Sequence, residues 1–191
     1  MADYKKTEEQ FEGVLSNCKT LFIHKFKDYG ASWRVMRPTA ITDQIYIKAQ
    51  RIRSVQEKRE NKVGEALKYE FIGIVNYAIM GLVQLEKGYT DQPTEDKDLL
   101  LQWYGEYAAK AKELMFSKNH DYGEAWRSMR ISSITDIILQ KIFRTKQIEN
   151  NQGATKVSEG IDANYLDMIN YAIFALIKIS EGCDAMDLSL I

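Results

Sequence analysis

Only two cysteines, two prolines and two histidines occur in 191 residues, and each scarcity excludes something. Cys18 and Cys183 have neither metal-like spacing nor catalytic-looking partners, so both read as structural thiols. His24 and His120 suggest no metal or proton-transfer site. With proline only at 38 and 93, long uninterrupted helices are allowed. Neither sign of charge is in excess, and 26 basic against 27 acidic residues leave no electrostatic footprint for nucleic acid. No apolar run approaches the ~18 residues that a membrane span requires. The opening residues carry no apolar signal segment, so the sequence predicts a cytoplasmic chain, neither exported nor inserted. P-loop, nucleophile-elbow and glycine-rich dinucleotide signatures are also missing.

What is there is said twice. Lys25, Asp28, Tyr29, Gly30, Trp33, Arg34, Met36 and Arg37 recur 93 residues later as Lys118, Asp121, Tyr122, Gly123, Trp126, Arg127, Met129 and Arg130. Asp43, Lys48 and Arg51 likewise meet Asp136, Lys141 and Arg144. After one inserted residue Glu65 meets Glu159, and Asn76-Tyr77 meets Asn170-Tyr171. The chain is a tandem duplication, with a first repeat over residues 1–92 and a second over 93–191. Apolar matches between the copies follow from core packing. The retained polar residues argue for a site, a buried polar network, or both.

Good helix formers at helical spacing predict an all-α fold with two helical-bundle units packed as a pseudo-dimer. Helices are expected over residues 6–27, 39–57 and 63–86, then over 98–119, 133–149 and 156–181. Gly30 suits the left-handed residue beyond the first helix, and Pro38 the start of the second. Segments 76–83 and 170–177 are apolar nearly all round and predict the central, mutually packed helices.

In the last helix so predicted, Glu159, Asp162, Asp167 and Asn170 fall near 0°, −60°, 80° and 20° at about 100° per residue. Three carboxylates with carbonyl and water oxygens would suit magnesium. The alternative for Glu159 and Asp162 is a solvated first turn, where acids favour the helix dipole. Asp167 is harder to place there, because it lies within the apolar stretch. Arg34, Arg37, Lys48, Arg51, Arg127, Arg130, Lys141 and Arg144 form a cationic counterpart able to hold phosphates. Their alternative is an internal salt-bridge net tying the Asp-Tyr-Gly turn to the second helix, for instance Arg130 with Asp136. Trp33 and Trp126 have core or base stacking as alternatives.

The strings Lys118-x-x-Asp121-Tyr122-Gly123, Lys141-x-x-Arg144 and Glu159-x-x-Asp162-x-x-x-x-Asp167-x-x-Asn170-Tyr171 resemble the all-alpha NTP pyrophosphohydrolase superfamily, MazG-like and dimeric dUTPase-like. They are closer still to the nucleotide-modification-associated domains. The resemblance implies magnesium, or manganese in its place, held by Glu159, Asp162 and Asp167 as catalytic ligands, with Lys141 and Arg144 on the phosphates. It implies a nucleotide ligand, and a homodimer is compatible with it. Asp28, Tyr29, Asp43, Glu65, Glu70, Asn76, Asp121, Tyr122, Asp136 and Asn170 complete the candidate set. The first repeat departs from the pattern, with Lys68 and Gly73 where the second has Asp162 and Asp167, and Glu70 opposite Asn164. Two functions are therefore compatible with the sequence: metal-dependent hydrolysis of a nucleoside triphosphate with the second repeat as the active half, and a non-catalytic nucleotide-binding or assembly module.

Overall fold

The computed structural model describes residues 4–64 and 66–182, and in these the chain is all-helical. Six helices run in the order α1 (Lys5–Tyr29), α2 (Pro38–Lys58), α3 (Lys68–Lys87), α4 (Lys97–Tyr122), α5 (Ile131–Asn150) and α6 (Ile161–Ser180). A short 3-10 turn, Ser32–Val35 or Ala125–Ser128, joins the first helix of each repeat to its second. Glu65 and Cys183 lie outside the described residues.

Helix ends follow local chemistry. Gly30 and Gly123 close α1 and α4 at φ 61° and 62°, a conformation that side-chain-bearing residues adopt only with strain. Pro38 opens α2, where its missing N–H costs no helical hydrogen bond. Asp96 caps α4 by accepting a hydrogen bond from the Leu99 amide.

Two expected helices start late. The third begins at Lys68 rather than 63, and the last at Ile161 rather than 156. Val63 and Val157 are 68% and 98% exposed, so an extra turn would bury no apolar face, while Gly64 and Gly160 would each cost about 1 kcal/mol inside a helix. Glu159 is consequently an exposed loop residue, and the helical angle that joined it to Asn170 does not exist.

The repeats pack like on like. α3 lies against α6, α2 against α5 and α1 against α4, while α1 also meets α6 as α4 meets α3. This exchange is what an approximate twofold relation between the copies requires. The apolar segments of α3 and α6 form the centre, and one hydrophobic cluster draws on both repeats. Neither half would close its core alone.

Polar contacts repeat as well. Asn76 Nδ2 donates to the Cys18 carbonyl, and Asn170 Nδ2 to the carbonyl of Ala111, the counterpart of Cys18, both at 3.0 Å. Thr42 donates to Glu149 at 2.6 Å, and Thr135 accepts from Gln56, the counterpart of Glu149, at 3.3 Å. Lys146 pairs with Asp43 at 2.6 Å and Arg53 with Asp136 at 3.8 Å, again the same contact seen twice. Asp136 thus meets Arg53 of the other repeat, where the sequence had suggested Arg130. Among the described residues no helix is long and apolar enough to cross a membrane.

Candidate functional site

Each repeat carries a pocket where the Asp-Tyr-Gly turn meets the central helix. The first, of about 430 Å³, is lined among others by Lys25, Tyr29, Trp33, Lys48, Glu70 and Tyr77. The second, of about 360 Å³, is lined among others by Lys118, Tyr122, Trp126, Asp167, Asn170 and Tyr171. Most of these residues are pairwise counterparts, so the duplication has copied the pocket with the fold.

Why the two strings come together follows from the helices. α1 and α4 end at Gly30 and Gly123, which leaves the tyrosine of the last turn beside the Asn-Tyr position of α3 or α6. Burial raises the pKa of Tyr29, Tyr77 and Tyr171, with Tyr77 adding at Tyr29 and Asp167 and Tyr122 adding at Tyr171. The phenols of Tyr29, Tyr77 and Tyr171 therefore stay protonated at neutral pH and keep their donor hydrogens. Tyr122 is 75% exposed, an uncommon state for a large aromatic that both copies retain. Asp28 and Asp121 sit on the same last turns, also exposed.

The tryptophans are packed. Phe174 stacks on Trp126 with centroids 4.3 Å apart and planes 5° from parallel, and the Arg127 guanidinium lies 4.3 Å from the same ring centroid. Groups so close cannot share one face, so both faces are covered and no base can stack there.

Most of the expected phosphate contacts have other work. Arg34 is buried and donates to Glu95 at 2.7 Å, to Gln84 and to the Gly88 carbonyl. Arg127 bonds Glu124, Thr7 and Gln10. The carbonyls of these arginines accept from Gln84 and from its counterpart Lys178, at 3.0 and 2.7 Å. Together they fasten the tryptophan turn to the end of α3 or α6. Arg37 and Arg130 are exposed residues just before α2 and α5. Arg144 faces a separate hollow with Thr155, Lys156 and Ser158. Of the eight cations, only Lys48 lines a tyrosine pocket.

The buried acids differ between copies. In the second, Lys118 holds Asp167 Oδ1 and Lys141 holds Oδ2 at 2.5 Å, with the Asp167 side chain 3% exposed. In the first, Lys48 and Arg51 bind the two oxygens of Glu70 at 3.1 and 2.5 Å. Glu70 precedes the counterpart of Asp167 by one helical turn. That counterpart is Gly73, and the Lys48 stem crosses it closely enough that a Cβ would lie 2.6 Å from Cε. The lysine is retained and its acid has moved.

These placements bear on magnesium. Asp162 is exposed on the first turn of α6, Glu159 is exposed before it, and Asp167 is buried with both oxygens occupied. Among the described residues no three of His, Cys, Asp and Glu come together to hold a metal ion. The three carboxylates do not fit a common magnesium site as arranged. Asp43 and Asp136 serve the interface between repeats.

Lys25 and Lys118 were not among the cations expected at the site, although both stand in the duplicated string. Their signal in the sequence is the repeat itself, since both stand three residues before the aspartate of the Asp-Tyr-Gly turn.

Residues 25–85 and 118–179 each match the family described as nucleotide modification associated domain 1. The matched segments coincide with the two pocket-bearing units and together exceed half of the chain. No curated protein and no solved structure matches it significantly.

Proposed function

The chain belongs to the nucleotide modification associated domain 1 family, and from that membership we propose that it binds a nucleotide in its tyrosine-lined pockets without turning it over. One observation carries this: many of the retained polar residues have a structural partner, whereas the exposed tyrosines line the pockets. Arg34 and Arg127, Asn76 and Asn170, and Asp43 and Asp136 each have a structural partner. Tyr29 and Tyr122, both exposed at the pocket linings, and Lys25, which has no ion-pair partner among the described residues, are not required by folding. The tyrosine rings offer a sequence-tolerant face to a base, their hydroxyls can donate to sugar or phosphate oxygens, and the lysines supply charge. A volume near 400 Å³ is suited to one nucleotide-sized ligand.

A second function is hydrolysis of a nucleoside triphosphate with magnesium or manganese, as the all-alpha pyrophosphohydrolase resemblance implies. Glu159 and Asp162 favour it, being exposed and without an ion-pair partner among the described residues. It would require a ligand set other than the one holding Asp167.

Calorimetric titration with nucleoside mono-, di- and triphosphates, alongside pyrophosphate release with and without magnesium, separates the two. Binding without release is expected. Magnesium-dependent release that Glu159→Gln abolishes would establish the hydrolase instead.

A further inference from the structure

We infer that the two pockets accept different ligands: the first-repeat pocket takes the phosphate-bearing group, and the second is closed to anions by its own aspartate. This rests on the nucleotide-binding function proposed above. It inverts the expectation that the second repeat, with more acids, is the active half.

The difference begins at one position. Asp167 in the second copy is Gly73 in the first. Asp167 holds both Lys118 and Lys141, so a phosphate entering that pocket must displace a buried carboxylate already bonded to the cations it would need. Repulsion between phosphate and Asp167 opposes entry further.

In the first copy nothing negative stands at that place. Lys48 reaches past Gly73 to Glu70, and Lys25, the counterpart of Lys118, has no ion-pair partner among the described residues. Lys25 is exposed at the pocket lining with its charge uncommitted. Two ammonium groups and one carboxylate line the first pocket, whereas one of each lines the second. The hydroxyls of Tyr29 and Tyr77 add donors beside Lys25. An uncommitted ammonium beside two phenol donors, in a pocket whose one carboxylate is already held by Lys48 and Arg51, is the chemistry of a phosphate monoester site.

The test is equilibrium dialysis of the full chain against the four 2′-deoxynucleoside 5′-monophosphates and the matching nucleosides, with thermal melts to confirm folding of each variant. Wild type should take one monophosphate per chain. Lys25→Gln should weaken binding by about tenfold or more, the loss expected for one charge-assisted hydrogen bond. Gly73→Asp, which supplies the second copy's acid, should do the same. Asp167→Gly should raise the stoichiometry to two; if that variant does not fold, Lys25→Gln and Gly73→Asp decide. Two monophosphates per wild-type chain, or unchanged affinity in Lys25→Gln, would overturn the inference and leave nucleotide binding standing. Absence of binding by every nucleotide and nucleoside would overturn both.

Discussion

Lys146 of the second repeat pairs with Asp43 of the first at 2.6 Å, and the reciprocal contact joins Arg53 to Asp136 at 3.8 Å. Retention of an aspartate in both copies is here explained by the interface between them. Because Asp43 and Asp136 are 62% and 63% exposed, each pair should contribute less than about 1 kcal/mol. The Asp43→Asn/Asp136→Asn double variant is expected to melt within a few degrees of wild type and to bind nucleotide with unchanged affinity. A large loss of affinity in a normally folded double variant would return these aspartates to the site.

A second asymmetry predicts a stabilising substitution. Asn76 Oδ1 accepts from the Tyr104 hydroxyl at 2.9 Å, but Asn170 Oδ1 is buried without a partner among the described residues. Position 11, the counterpart of 104, is phenylalanine and fully buried. Phe11→Tyr should supply the missing donor and stabilise by about 1 kcal/mol, a rise in Tm of roughly 2–4 °C for a chain of this size. Tyr104→Phe should do the opposite by orphaning Asn76, at a cost of about 1–3 kcal/mol. A fall in Tm for Phe11→Tyr would mean that the hydroxyl overpacks the site.

Glu149 gives a pH dependence of definite sign. Desolvation chiefly, with Asp43 nearby, raises its pKa above the ordinary carboxylate range. A carboxyl group whose folded pKa is raised stabilises most below its unfolded value, and that contribution is lost as pH rises through the folded value. Its counterpart Gln56 makes the equivalent contact to Thr135 without a charge. Glu149→Gln should therefore be more stable than wild type at neutral pH, and the difference should vanish as pH falls below the ordinary carboxylate range. Melting curves between pH 4 and 8, roughly the window set by such a shift, check this. A constant difference across that window would remove Glu149 as its source.

Much of the fold was legible because its signals are local. Gly30 and Gly123 mark helix ends, Pro38 marks a start, and the apolar runs before Gly88 and Glu181 mark the central helices. The site was less legible. The helical period of α6 extends in the sequence through Gly160 and Val157 to Glu159, but Val157 is 98% exposed and no apolar contact holds a helix there. The duties of Asp43, Asp136 and Arg53 depend on contacts across the pseudo-twofold, which leave no periodic trace in the sequence. Arg34 and Arg127 looked like phosphate ligands because the repeat kept them. The repeat kept them to hold Trp33 and Trp126 in place.

The displacement of the acid from position 167 to 70 between copies can be run in the laboratory. Glu70→Asn places in the first repeat the residue found at 164, and leaves Lys48 and Arg51 without the carboxylate that both contact. Since the Lys48 and Arg51 side chains are 22% and 20% exposed, the loss should be about 1–3 kcal/mol, below the range for a fully buried pair. Adding Gly73→Asp gives the first repeat the acid of the second, within reach of Lys48, whose stem already lies over Gly73. The flexible stem has to shift to admit the new Cβ, but the ammonium regains a carboxylate one turn along the helix. Glu70→Asn/Gly73→Asp should accordingly recover much of the lost Tm, a coupling that a double-mutant cycle measures directly. Additive losses would show that the two copies do not use interchangeable positions for the acid, and that Asp167 holds its lysines for a reason specific to the second repeat.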